Sequence, residues 1–384
     1  MTVNAAIHIQ TNNQVLIWAR ESIALTKNQV VEKTKISNSK LSQLETGEKL
    51  PTLDELKLLS KVYKRTIATL LLNTPPKEKP LPKDRRTINS ENQNVFHEKT
   101  ILAVRKARAL ANSFLELRKD LGIETSKFNL SAKLDDDPKT IANKIRTILK
   151  LNELKTFNRP NEALEYSIEQ CEKIGVVIFQ LSLIQDNVRG FAITDDVVPI
   201  IGIKRGGETP QSKLFSLFHE LGHIILNEGG ICDLSDKSTI VIEKWCNAFS
   251  AELIIPNEEF LNNELVVKYK EENNKIWSLK DLIQVGSIFN ASPLSVLRCL
   301  LENKLVSKDF YSEKHEKWNK PQFGRSKNPE GRNISKEAIQ EKGRTYISLA
   351  FRAYDRNTID LKDLSDFLGV RLSYIPKTRQ LLYS

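Results

Sequence analysis

Leu217-Phe218-His219-Glu220-Leu221-Gly222-His223 is the stretch on which the reading of this chain turns. It spells H-E-x-x-H. On a helix, residues i and i+4 share a face about one turn apart. His219 and His223 therefore present two imidazoles to one metal ion from the same side. Glu220, beside His219, reaches a metal-bound water as general base. The plain alternative is two surface histidines on a helix. The flanks oppose it: Leu214, Phe215, Leu217 and Phe218 precede, and Ile224, Ile225 and Leu226 follow. Such a helix is mostly buried, and its buried polar groups need partners, which a metal supplies.

Working outward, Thr209-Pro210 offers an N-cap and a proline at the first helical position, and Asn227 before Gly229-Gly230 offers a stop. Upstream, residues 175–181, 190–194 and 197–204 read as three short strands. The third, leading into the helix, is the expected edge for a substrate peptide held by backbone hydrogen bonds. A catalytic zinc needs a third protein ligand and an open position. None of the other three histidines (His8, His97, His315) lies close in sequence, so a carboxylate is expected. Residues 242–256 read as a second helix closed by Pro256. Glu243 and Asn247 share a face there, and Glu243 is the first candidate. A first-turn Glu that merely complements the helix dipole is the alternative. Glu252 stands in reserve. Cys246 is a possible thiolate, though a small buried cysteine is commoner.

Two runs in this segment, F-x-L-x-H-E-L-G-H from Phe215 and E-x-x-C-N-x-F-x-A-E-L-x-x-P from Glu243 to Pro256, resemble the ImmA/IrrE family of zinc-dependent endopeptidases. The resemblance implies His219, His223 and Glu243 as zinc ligands and Glu220 as catalytic base. It also implies a substrate class, since characterised members cleave a partner transcriptional repressor.

The second strong pattern spans residues 14–73. Val15-Leu16-Ile17-Trp18-Ala19-Arg20 begins one helix. Thr26 caps a second, with Val30 and Val31 inward; Ile36-Ser37 caps a third, ending at Gly47; Pro51-Thr52 opens a fourth; Ile67, Leu70 and Leu71 mark a fifth. Five short helices with a tight second turn describe a helix-turn-helix domain. The run from Ile36 to Gly47 with Pro51-Thr52-Leu53 resembles the Cro/repressor-like (XRE) family. In such a domain Asn38, Ser39, Lys40 and Gln43 face the major groove and Lys27 meets a phosphate. Two features depart from the pattern: Lys35 stands where a turn glycine is usual, and the recognition helix carries a single basic residue together with Glu45. A protein-docking or dimerising head is the alternative to DNA binding.

At 384 residues with net charge +10, the chain accommodates two or three domains and suits a nucleic-acid partner. It lacks a run of about 18 apolar residues and a signal-peptide pattern. Its four scattered cysteines fit a reducing compartment, so a cytoplasmic location without membrane contact is expected. The fold class expected is α+β, mainly helical. The domains expected are 1–73 helix-turn-helix, 74–96 proline-rich linker, 97–160 helical connector, 161–308 peptidase core and 309–384 helical C-terminal region. Within these, Arg105, Lys106, Arg108, Arg118 and Lys119 make one helix basic, Asp135-Asp136-Asp137-Pro138 opens another by capping, residues 278–303 resemble a further helix-turn-helix capped by Ser292, and Asp360 caps a helix near residue 368. The charged stretch 312–334 reads as loop. The whole pattern, from XRE head to the closing Phe367-Leu368-Gly369-Val370, resembles a long form of the same family. The function expected is a DNA-binding regulator, with homodimerisation possible, fused to a Zn2+ endopeptidase that cuts a repressor. The alternatives are a regulator whose peptidase-like domain senses a signal without cutting, and an antitoxin-like protein.

Overall fold

The structure is a computed structural model that describes residues 7–82, 84–85, 97–183, 188–194, 196–232, 237–273, 275–318 and 333–383. The chain divides into two compact units: residues 1–81 with 90–104, and residues 82–89 with 105–384.

The smaller unit holds α1 (Asn13–Glu21), α2 (Lys27–Thr34), α3 (Asn38–Thr46), α4 (Leu53–Tyr63) and α5 (Ile67–Leu70), the five helices expected. Their starts are fixed by side-chain caps. Thr26, Ser37 and Thr52 accept from the backbone N–H of Gln29, Lys40 and Glu55, and the two threonines close full capping boxes. Each cap contributes about 1 kcal/mol. Lys35 does take the place of a glycine: it ends α2 in the left-handed region at φ 63, at a cost of roughly 1–2 kcal/mol. Leu16, Ala19, Ile23, Val30, Leu41, Leu44, Leu56 and Leu59 close the core, and Val31 packs at its margin. Glu45 differs from expectation. It is buried, not on the face offered to DNA. The Arg20 guanidinium grips it in two bonds, Nε to Oε1 at 2.6 Å and Nη2 to Oε2 at 3.1 Å.

In the larger unit a five-stranded sheet has the order β1-β5-β3-β4-β2. The three strands expected are β2 (Val177–Leu181), β3 (Gly190–Ile193) and β4 (Ile200–Lys204); β1 (Asp84–Arg85) and β5 (Gly230–Cys232) extend the sheet. β4 pairs in parallel with β2 and antiparallel with β3, so both its edges are taken. The expectation that residues 198–204 receive a substrate strand is therefore corrected: an interior strand has no backbone groups left to offer.

The helices of this unit are α6 (Glu98–Asp120, from residue 105 onward), α7 (Pro138–Ile148), α8 (Pro160–Lys173), α9 (Pro210–Ile225), α10 (Lys237–Ile254), α11 (Asn257–Leu261) and α12 (Glu264–Glu271). Then follow α13 (Leu279–Ile288), α14 (Pro293–Glu302), α15 (Lys308–Trp318), α16 (Ile334–Lys342), α17 (Arg344–Asp355), α18 (Leu361–Leu368) and α19 (Ile375–Tyr383). Asp137, Ser292 and Asp360 cap α7, α14 and α18 as their sequences foretell. The α13–α14 pair resembles a second DNA reader in sequence. Its apolar face, Leu282, Val285, Val296, Leu297 and Leu300, belongs to the same core as α9 and α10. Residues 312–318 are helical rather than loop, because α15 runs through them; the rest of that stretch up to 332 lies outside the described residues. α16 packs against β2, and Tyr346 meets Phe179 edge-on at 6.4 Å. The basic helix α6 is partly neutralised within its own unit: Lys106 pairs with Glu341 at 2.6 Å and Arg108 with Asp196 at 3.0 Å. Among the described residues no helix is long and apolar enough to cross a membrane.

Candidate metal centre

α9 begins where the sequence indicates. Thr209 accepts from Ser212 N–H at 3.2 Å, and Pro210 occupies the first turn. The helix lies between the sheet, touching β3 and β4, and α10. From Leu217 to Ile225 every residue is buried, His219, Glu220 and His223 included. Three polar side chains are thus held in an apolar setting, which is costly without partners.

α10 supplies the partner. Gly222 is what allows it to come close: a Cβ there would sit 3.1 Å from Cys246 Sγ and 3.3 Å from the Phe249 ring. Ser250 Oγ donates to the Phe215 carbonyl of α9 at 2.9 Å, and Trp245 Nε1 donates to the Asp136 carbonyl at 2.8 Å. α10 is therefore pinned on both flanks with Glu243 over the two imidazoles. Glu243 Oε2 lies 3.0 Å from His219 Nε2, and Oε1 lies 3.2 Å from His223 Nε2. The two Nε2 atoms are 3.2 Å apart. Phe215, one turn before His219, lies against it with ring planes 27° apart.

These separations fit a metal. Ligand atoms tetrahedrally placed about 2.0–2.1 Å from a zinc ion stand about 3.3 Å from one another. His219, His223 and Glu243 form a group able to hold one ion, with ligand atoms all within 4.8 Å of one another. Glu243 Oε1, buried, makes no hydrogen bond despite its nearness to His223. The electrostatics agree. Burial alone would push the Glu243 carboxyl up, but the His219 and His223 imidazoles beside it overcome this and hold it well below the carboxylate range. Burial likewise disfavours a charged His219, yet Glu243 and Glu220 raise it above its ordinary value. A cation between the three would take over the work that protons do there.

The other candidates have different tasks. Glu252, the reserve ligand, accepts from Asn257 N–H at 3.1 Å at the start of α11 and sits near Arg146. Cys246 is buried packing against Gly222 and is no member of the ligand group. Glu220 is buried against β3, with its carboxylate directly over Gly190. A Cβ on Gly190 would lie 2.7 Å from Glu220 Oε1. Sequence reasoning missed that contact, although the glycine was visible at the head of a strand.

In the helix-turn-helix unit, Asn38 and Ser39 are exposed at the start of α3, and Lys40 and Gln43 are half-buried. Lys40 Nζ approaches Glu55 Oε1 at 3.6 Å, and Lys27 Nζ approaches Glu45 Oε2 at 3.4 Å.

A two-histidine, one-carboxylate cluster built from two adjacent helices beside a small sheet defines a metallopeptidase-like α+β domain. Residues 171–298 match the peptidase M78 family, the IrrE N-terminal-like domain. Residues 16–70 match a helix-turn-helix family. The chain thus joins a DNA-binding type of domain to a peptidase-family domain, the architecture of ImmA/IrrE proteins with an XRE head. No curated protein matches the chain.

Proposed function

We propose that this protein is a zinc-dependent endopeptidase that cleaves a transcriptional repressor, with its helix-turn-helix head reading operator DNA. The observation that carries the reading is the convergence of His219, His223 and Glu243 on one point, one residue away from a carboxylate that none of them needs as a ligand. Zinc bound there would supply a Lewis acid that acidifies a water and polarises the scissile carbonyl. The chain's own residues do the rest. His219 and His223 give Nε2 lone pairs from one helix face, and Glu243 adds an anionic oxygen from the next helix. Glu220 takes the proton from the attacking water and passes it to the leaving amine. Its burial keeps bulk water from competing for that proton.

A buried general base favours the enzyme over a sensor that never cuts, since sensing requires ligands only. DNA recognition would rest on Asn38, Ser39, Lys40 and Gln43, with Lys27 toward a phosphate once it releases Glu45. A cytoplasmic location follows from such a partner, and a homodimer would suit a two-fold operator. The test is incubation of the zinc-loaded protein with the repressors encoded near its gene. The wild type should yield discrete fragments, while Glu220→Gln should keep its zinc and lose about 10²–10⁴-fold in rate. Equal cleavage by the two would remove Glu220 from the mechanism.

A further inference from the structure

An extended peptide is most simply held by adding it to a sheet edge, where unpaired N–H and C=O groups await a strand. Here β4 is interior, and β2, the strand at the far end of the sheet, packs against α16. The remaining side is that of β5. It follows α9 in the chain and precedes α10, the two helices that carry the ligand group, and it pairs with β3, the strand that α9 packs against.

The register ties β5 to the general base. Phe191 pairs with Ile231 and Ala192 with Gly230. Continuing that antiparallel register by one residue sets Cys232 opposite Gly190, the residue whose backbone lies against the Glu220 carboxylate. The outer edge of β5 is not bare, however. Asp84 pairs with Ile231 and Arg85 with Cys232, in parallel. Gly190, Cys232 and Arg85 therefore form one row across three strands. At about 4.8 Å per strand, the Arg85 backbone lies roughly 10 Å from Gly190.

Resting on the peptidase reading, we propose that the outer edge of β5 is the docking edge for an extended protein segment beside Glu220, and that Asp84–Arg85 of the chain's own linker occupies it in cis as a displaceable inhibitory strand. An edge pairs with one strand at a time, so a peptide reaches β5 only when β1 leaves. The occupant is weakly held, since two paired residues are far fewer than an ordinary strand. It is also cheaply delivered: Pro80 and Pro82 preset extended backbone just before it and lower the entropy lost on pairing. A short, proline-led strand suits a strap that keeps the site closed until a better-matched segment competes.

The test uses the full-length chain. Asp84→Pro/Arg85→Pro removes both N–H donors of β1, and Asp84→Val/Arg85→Val raises its strand propensity. Two readouts decide the matter: hydrogen exchange at amides 230–232, and binding of a fluorescent synthetic peptide copying residues 80–88, followed by anisotropy. The proline variant should exchange at least about tenfold faster at the amides facing β1 and bind the peptide at least about tenfold more tightly than wild type, and bound peptide should restore protection. The valine variant should shift both readouts the opposite way. Zinc content and melting temperature are followed for every variant, and a proline variant that has lost its fold leaves the valine variant to decide. Equal peptide binding by wild type and valine variant, or equal exchange by wild type and a folded proline variant, overturns the proposal. Cleavage of labelled casein is read separately. Release of the strap should raise it several-fold, and an unchanged rate in a folded proline variant of a protein that does cleave would show that the strap is not inhibitory. No cleavage of casein or of the repressors encoded near the gene by any variant would sink the peptidase reading while exchange and binding still judge the strap.

Discussion

The two units each bury charged side chains between helices, and they do so in opposite ways. In the head, Glu45 is closed off by opposite charge: Arg20 binds both its oxygens and Lys27 approaches one of them. In the larger unit, Glu243 faces two imidazoles whose nitrogens stand 3.2 Å from each other, and one of its oxygens makes no hydrogen bond. The first cluster is complete as it stands. The second gathers three electron-pair donors around a point where a cation could be held. A buried polar cluster therefore signals function when its members are donors of the same kind, and structure when they neutralise one another.

Removing a member from each cluster should break this contrast if it is wrong. Arg20→Ala strips the buried Glu45 of both its guanidinium bonds and leaves only the exposed Lys27 near one oxygen, so the head should lose about 3–5 kcal/mol, read as faster hydrogen exchange throughout α1 and α3. His223→Ala should cost the metal-free protein less, because His219 still faces Glu243 at 3.0 Å. Its mark should be the disappearance of zinc-induced stabilisation, which in the wild type raises the melting temperature as zinc is added. A metal-free His223→Ala protein as damaged as Arg20→Ala would erase the distinction.

The next effect concerns Glu220. Gly190→Val puts a side chain where the carboxylate lies, so cleavage should fall about 10²-fold or more with zinc content unchanged. Normal turnover in that variant would mean that Glu220 does its work from another position. In the head, Gln43→Ala and Lys40→Ala should each weaken specific DNA binding by about 1–3 kcal/mol if they read a base. An unaltered affinity in both would favour a protein-docking head.

The smallest effect is one of pH. Burial pushes Glu172 up to about 7 from 4.5, with Glu169 adding to the rise and a hydrogen bond from Thr345 opposing it. A carboxyl raised on folding prefers the protonated folded state. Its stabilisation is fully present below the unfolded value and is lost as pH climbs from about 4.5 through about 7. Glu172→Gln should flatten the stability profile across that window, measured by urea unfolding at several pH values. An unchanged slope would show that Glu172 is ionised in the folded protein.

Much of this was legible because helices announce themselves locally. Thr26, Ser37, Thr52, Thr209, Asp137 and Asp360 cap the helices their positions indicate, and the i, i+4 spacing of the histidines is a property of α9 alone. The place of Glu243 beside the two histidines was legible through its own helix and through family resemblance. What escaped was everything set by pairing at a distance. β1 and β5 are two and three residues long, too short for any periodicity to show. The interior position of β4 depends on partners at residues 177–181 and 190–193 that no local pattern specifies. Glu45 was misjudged for the same reason: its partner Arg20 is 25 residues away, and the acid alone looks like a solvated charge.

Elemental analysis of the purified, dialysed chain decides whether His219, His223 and Glu243 hold zinc. About one zinc per chain is expected in the wild type and in Glu220→Gln, and essentially none in the His219→Ala/His223→Ala double variant. Full zinc occupancy in the double variant, or a wild type that holds no metal when zinc is supplied, would contradict it.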